Sequence, residues 1–68
     1  MAQYELSAPV SIKSIKGHAP LLELRTGQYR TFFVMDRAEM WILHCCKKQD
    51  QRHGIEMADE RMRMVLER

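Results

Sequence analysis

The sequence predicts an α+β fold: a small antiparallel sheet, chiefly a three-stranded meander, followed by one C-terminal helix. Three observations carry this. Leu21–Arg25 alternates, with Leu22 and Leu24 on one side and Glu23 and Arg25 on the other. Tyr29–Met35 and Met40–Cys46 are two apolar runs separated by a short polar break. From Ile55 onward the apolar period becomes helical, with Ile55, Ala58, Met62 and Val65 on one stripe. A period of two fits a pleated strand, and a period near 3.6 fits a helix with one buried face.

The elements follow in chain order. Gln3–Ser7 alternates weakly and reads as a short N-terminal edge strand, with Tyr4 and Leu6 opposite Gln3 and Glu5. Ala8–Ala19 reads as a connector in which Val10, Ile12 and Ile15 form an apolar turn against the core while Lys13 and Lys16 stay in water. Thr26-Gly27-Gln28 is a turn, because Gly27 supplies the positive φ that tight turns demand. Tyr29–Met35 is rich in aromatic and β-branched residues, which favours strand over helix. Being apolar on both sides after Arg30, it reads as a central strand covered on both faces. Asp36–Glu39 makes a hairpin loop, and Met40–Cys46 is the partner strand. Asp50 is one candidate for the helix N-cap, and Gly54 is another candidate for its start. Glu56, Asp59 and Glu60 precede Arg61, Arg63 and Arg68, the order that suits the helix dipole. Asp59 and Arg63 are spaced for an i,i+4 ion pair. The methionines on this helix suit gap-filling in a core.

Length and composition narrow the function classes. A chain of 68 residues makes a single domain, 1–68. A domain of this size buries only about 60% of its unfolded surface. Cys45 and Cys46 are adjacent, and in a strand they point to opposite faces, which disfavours a disulfide framework. No signal peptide and no apolar run of spanning length is recognisable, so a cytoplasmic protein is expected. The net charge of +2 is mild. Its distribution says more: Lys47, Lys48 and Arg52, flanked by His44 and His53, cluster around one acid, Asp50. Clustered cations suit a polyanion, although such runs are also common on solvated surfaces. His44, Cys45, Cys46 and His53 lack the ligand spacing of a zinc site, and no metal or other cofactor is expected.

An ordered set of motifs points to a family. K-G-H (Lys16–His18) precedes the first meander strand, which carries E-L-R (Glu23–Arg25). Y-R (Tyr29-Arg30) opens the next strand, L-H-x-x-K-K spans Leu43–Lys48, and I-E-M-A (Ile55–Ala58) opens the helix. This order resembles the RelE/HigB superfamily of bacterial toxins, in particular its phage-derived Gp49-like branch. The resemblance covers roughly Tyr4–Ala58. Relatives carry a helical hairpin between the N-terminal strand and the meander. Here Tyr4–Ser7 runs almost directly into Val10–Gly17, so the hairpin is expected to be missing. One C-terminal helix cannot then cover both faces of a sheet bearing Phe32, Phe33, Val34, Trp41, Ile42 and Leu43. The uncovered face is expected to be buried in a homodimer.

The resemblance implies the toxin of a type II toxin–antitoxin system, a metal-free, ribosome-dependent mRNA endonuclease whose partners are a cognate antitoxin, mRNA and the ribosome. Such an enzyme uses the RNA 2′-hydroxyl as nucleophile, so its side chains move protons and stabilise phosphate charge. By the resemblance Arg30 is the phosphate-binding arginine, Lys47 and Lys48 are the family's basic pair, and His53 lies near a helix-start acid of relatives. Glu23 is either a base or a partner of Arg25. Arg25, Arg52 and His44 are expected to hold RNA, with His44 equally readable as a core histidine. His18 reads as a loop residue. Two other functions compete: a catalytically inactive RelE-fold interaction protein that binds an antitoxin or itself, and a ParE-like gyrase inhibitor.

Overall fold

The computed structural model describes residues 10–67. Four strands form one antiparallel sheet in sequence order: β1 (Val10–Ser14), β2 (Leu22–Thr26), β3 (Tyr29–Asp36) and β4 (Glu39–Lys47). A single 3-10 turn, Lys48–Asp50, leads into α1 (Gln51–Leu66). The meander and the C-terminal helix match the sequence expectation. The edge strand foreseen at Gln3–Ser7 lies outside the described residues.

The described edge strand is instead Val10–Ser14, within the stretch expected to be a connector. Its registration is Ser11 with Arg25, Ile12 with Leu24 and Lys13 with Glu23. Val10 and Ile12 therefore alternate with Ser11 and Lys13 as strand residues do. They do not turn inward: Ile12 is 61% exposed. Ile15, beyond the strand, does pack against the core. Between β1 and β2 the chain makes only a tight turn at Lys16–Pro20, so no helical hairpin lies there.

Gly27 opens the β2–β3 turn at φ 58°, the backbone region glycine enters without penalty. The β3–β4 turn places Arg37 and Ala38 at φ 52° and 66°. Two consecutive positive φ values are the mark of a two-residue type I′ hairpin turn, whose twist matches the strands. The loop is thus shorter than Asp36–Glu39, and both end residues belong to strands.

α1 crosses one face of β3 and β4. Leu21, Phe32, Val34 and Leu43 pack against Ala58 and Met62, with Ile55, Val65 and Trp41 around them. The helical stripe is as expected. Asp50 occupies the N-cap position without a side-chain bond, and Gly54 lies inside the helix. Gly54 lies at a close approach of helix and sheet: a Cβ there would lie 2.7 Å from Cys46 Sγ and 2.9 Å from Phe32 Cε2.

Among the described residues, none forms a helix on the opposite face of the sheet. Cross-strand partners place Ile12 with Leu24, Phe33 with Ile42, and Met35 with Met40 on it. Phe33 is buried, but Ile42, Met35, Met40 and Val10 are exposed. β3 is therefore central without being covered by a helix on both sides.

Candidate functional site

The helix-covered face becomes polar toward the N-terminal end of α1. Glu23 is 1% exposed and accepts from two donors: Arg25 Nε at 2.5 Å and Gln51 Nε2 at 2.5 Å. Both carboxylate oxygens are thus engaged. The pleat brings Glu23 and Arg25 to one face of β2, and the helix start brings Gln51 over them. Arg30, on the neighbouring strand, stands directly opposite Arg25. It is 7% exposed. Its Nη1 donates to the carbonyls of Gly27 at 2.9 Å and Tyr29 at 3.0 Å, while its Nε is buried without a partner.

Like charges directly opposite each other in a sheet are destabilising. Glu23 answers one of the two guanidinium groups, which leaves the cluster with an unanswered cation. An anion is the ligand this arrangement suits, since guanidinium groups bind phosphate through paired N–H donors.

Lys47 and Lys48 stand at the same end of the sheet, but the register puts Lys47 on the face away from this cluster. Lys47 pairs with Tyr29 on the opposite face and, with Thr26, Gly27, Gln28 and Tyr29, lines a cavity of about 370 Å³. The Lys48 backbone N–H donates to the Gln28 carbonyl at 2.6 Å, which ties the start of the 3-10 turn to the β2–β3 turn. The Gly27–Tyr29 segment therefore joins Arg30, Lys47 and Lys48.

Arg52 and His53 diverge because consecutive helical residues are rotated by about 100°. Arg52 lines a second cavity, about 460 Å³, with His18, Gln51, Ile55 and Glu56. His53 is exposed and acts electrostatically on His44. His44 stacks on Phe32, with ring centroids 6.5 Å apart, and its Nδ1 lies 3.2 Å from Arg61 Nη1. Burial, then the positive charges of Arg61 and His53, hold the His44 imidazole below its ordinary value. His44 and His53 thus form a group on the β4 side of the helix, apart from the Glu23–Arg25–Gln51 assembly on β2. Among the described residues no group of His, Cys, Asp and Glu is arranged to hold a metal ion.

One residue with a defined geometry was read from the sequence only as part of a loop. His18 Nδ1 lies 3.4 Å from Asp59 Oδ1, and Arg63 Nη2 lies 3.1 Å from the other Asp59 oxygen. The Asp59–Arg63 spacing was visible in the helix. Nothing near His18 in the chain announces that the turn before β2 docks on that carboxylate.

No curated protein and no solved structure matches the chain. A family model, phage-derived protein Gp49-like (DUF891), matches residues 2–63. That span takes in the sheet, the Glu23–Arg25–Arg30 cluster and most of α1. The chain therefore belongs to the phage-derived Gp49-like family, the branch of the RelE/HigB superfamily to which its motifs pointed and one related to the toxins of toxin–antitoxin systems.

Proposed function

We propose that this protein is the toxin of a type II toxin–antitoxin system and cuts mRNA on the ribosome, without a metal, in the cytoplasm. One observation carries the reading: the cross-strand Arg25–Arg30 pair, with a buried and unpartnered Arg30 Nε and a carboxylate, Glu23, that pairs with Arg25 alone of the two. A phosphodiester supplies the missing negative charge. In cleavage the RNA 2′-oxygen bonds to phosphorus, the bond to the 5′-oxygen breaks, and charge accumulates on the phosphate oxygens. Arg25, partly exposed, meets that charge. Arg30 holds the β2–β3 turn and adds positive potential from beneath. Glu23, with both oxygens occupied, orients Arg25 in preference to acting as a base. Arg52 extends the positive surface along the RNA at the start of α1, with Lys48 at the neighbouring 3-10 turn, whereas Lys47 lies on the other face of the sheet.

The test is mRNA integrity in a cell-free translation reaction given the purified protein, with Arg25→Ala as control. Arg25 is preferred to Arg30 because Arg30 also bonds two turn carbonyls. Cleavage by the wild type, reduced ~10²-fold or more in the variant, supports the reading; a loss of this size is typical for removal of one charge-stabilising donor. Intact mRNA with translation unimpaired refutes it.

A second reading is favoured by the open sheet face. Exposed Ile12, Ile42, Met35 and Met40 on one surface suit a protein interface. We propose that a second copy covers it as a symmetric homodimer, with the cognate antitoxin as a further partner. The catalytically inactive interaction protein keeps this surface and lacks the cleavage. A monomer in sedimentation at micromolar concentration excludes the homodimer.

A further inference from the structure

We infer that His18, oriented by Asp59, is the general base that takes the proton from the attacking RNA 2′-hydroxyl; the inference rests on the nuclease reading above. The imidazole faces Asp59 through Nδ1 at 3.4 Å. A carboxylate on that side favours the tautomer with hydrogen on Nδ1 and leaves the Nε2 lone pair as the acceptor. No protein group among the described residues engages Nε2. Asp59 is itself fixed, because Arg63 binds its second oxygen at 3.1 Å. This is the arrangement in which a base is held by a third group that does not touch the substrate.

The surroundings supply what a base needs. His18 opens on the cavity of about 460 Å³ that Gln51, Arg52, Ile55 and Glu56 also line. Gln51 forms part of the wall and, through its Nε2, bonds to Glu23 at 2.5 Å, which places the Glu23–Arg25 pair directly behind it. Arg52 brings a cation into the same cavity as the imidazole. A phosphodiester seated there meets Arg52 on one side and the arginine pair beyond Gln51 on the other. The charges that α1 presents around His18 are Arg52, Glu56, Asp59 and Arg63, and Lys16 is the charged residue of its own turn. The His44–His53 pair, by contrast, has Arg61 beside it and no carboxylate to fix a tautomer.

The step balances. The O2′–P bond forms as its proton passes to His18 Nε2. The P–O5′ bond breaks with its electron pair on O5′, which takes a proton from solvent water. The imidazolium then releases its proton to water. The products are a 2′,3′-cyclic phosphate and a 5′-hydroxyl end.

The experiment uses the full chain in the cell-free translation reaction, with single-turnover cleavage followed from acid to neutral pH. Wild type, His18→Ala, His18→Gln and Asp59→Asn are compared, with folding of each checked by circular dichroism. The expected result is a ~10² to 10⁴-fold slower cleavage in both His18 variants, the usual contribution of a positioned acid or base. The acid limb of the rate profile disappears with them, added imidazole restores part of the His18→Ala rate, and Asp59→Asn falls between. If the wild type cleaves and the His18 variants match it, or lose rate only as they lose fold with the acid limb intact and no rescue, His18 is a structural pin. The inference then fails while the nuclease reading stands. If the wild type leaves mRNA intact, both fall.

Discussion

Each face of the sheet departs from the usual arrangement in one respect: charge is buried beside the apolar core under α1, and large apolar side chains are exposed on the other face. Under α1, Glu23 and Arg30 are buried at 1% and 7% exposure. On the other face Ile12 and Ile42 are exposed at 61% and 65%. Burying charge is costly unless it is paired and hydrogen-bonded, and exposing a cluster of large apolar side chains gives up hydrophobic stabilisation. A domain of this size has little stability to spare. The contrast teaches that the stability of the isolated chain explains the core under α1 but neither the charges buried beside it nor the apolar residues of the open face. The covered charges are held in position by bonds that limit their cost, and the open apolar face has the character of a surface awaiting cover.

Glu23 offers the hardest test of the covered face. Glu23→Ala removes the acceptor of both Arg25 and Gln51 and leaves Arg25 opposite Arg30 without a counter-charge. Leaving a buried donor unpaired costs about 1–3 kcal/mol. Arg25 and Gln51 are only partly buried, so chemical denaturation is expected to show a loss at the lower end of that range, partly recovered in Glu23→Ala/Arg25→Ala because the unpaired cation is gone. A variant as stable as wild type means that the Glu23 cluster contributes nothing to the fold.

Gly54 comes next. An added methyl meets Cys46 Sγ at 2.7 Å, Phe32 Cε2 at 2.9 Å and His44 Cδ2 at 3.3 Å. Such overpacking costs about 1–3 kcal/mol. Alanine recovers roughly 1 kcal/mol of helix propensity. Gly54→Ala is therefore expected to be destabilising by a small net amount and Gly54→Val by more, read from denaturation midpoints. A stabilised Gly54→Ala requires that the helix shift away from the sheet at no cost.

These two residues also show where legibility ends. The meander was readable because Leu22–Arg25 alternates and because Tyr29–Met35 and Met40–Cys46 are apolar runs of strand length. The helix was readable from Ile55, Ala58, Met62 and Val65. Val10–Ser14 was misplaced although Val10 and Ile12 alternate with Ser11 and Lys13. Ile15 extends the same apolar residues into a helix-like spacing, and a fully exposed edge strand has no buried face to settle the period. Gly54 signals a helix break in sequence terms, but it serves a close approach that only tertiary packing creates. In the site, the Glu23–Arg25 pairing follows from strand period alone. The docking of His18 on Asp59 joins the β1–β2 turn to the helix, and no local pattern encodes it. The divergence of Lys47 from Arg30 follows from strand alternation once register is known: Tyr29 pairs with Lys47 and Arg30 with Cys46.

His44 gives a smaller effect with a definite sign. Burial first, then Arg61 and His53, lower its affinity for a proton relative to the ordinary imidazole value of 6.5 that it has in an unfolded chain. The unfolded state thus binds more protons as pH falls below that value, so stability drops with decreasing pH until the folded-state imidazole also protonates, and is flat beyond. The thermal midpoint is expected to fall between pH 7.5 and 5.5, and His44→Gln is expected to flatten that slope. His44 is only partly buried, so the slope is shallow.

The smallest effect compares the two faces directly, because Cys45 and Cys46 lie on opposite sides of one strand. Cys45 pairs with Thr31 on the open face and is exposed. Cys46 pairs with Arg30 under the helix, and its thiol contacts the Asp50 carbonyl at 3.8 Å. Burial pushes the Cys46 thiol up, with Asp50, Cys45 and Glu23 adding to the shift and Arg30 opposing it. Since the thiolate is the reactive form, Cys46 is expected to alkylate more slowly than Cys45 in dilute protein at pH 8, as mass spectrometry of the labelled peptide fragments after timed iodoacetamide treatment reads out. Faster labelling of Cys46 would show that the helix does not shield its face. Protein concentration then sharpens the comparison. If a second copy covers the open face, raising the concentration slows Cys45 and leaves Cys46 unchanged, because dimerisation changes the cover over one face alone. If Cys45 reacts at the same rate at every concentration, the apolar face stays bare in solution, and a partner other than this chain must account for it.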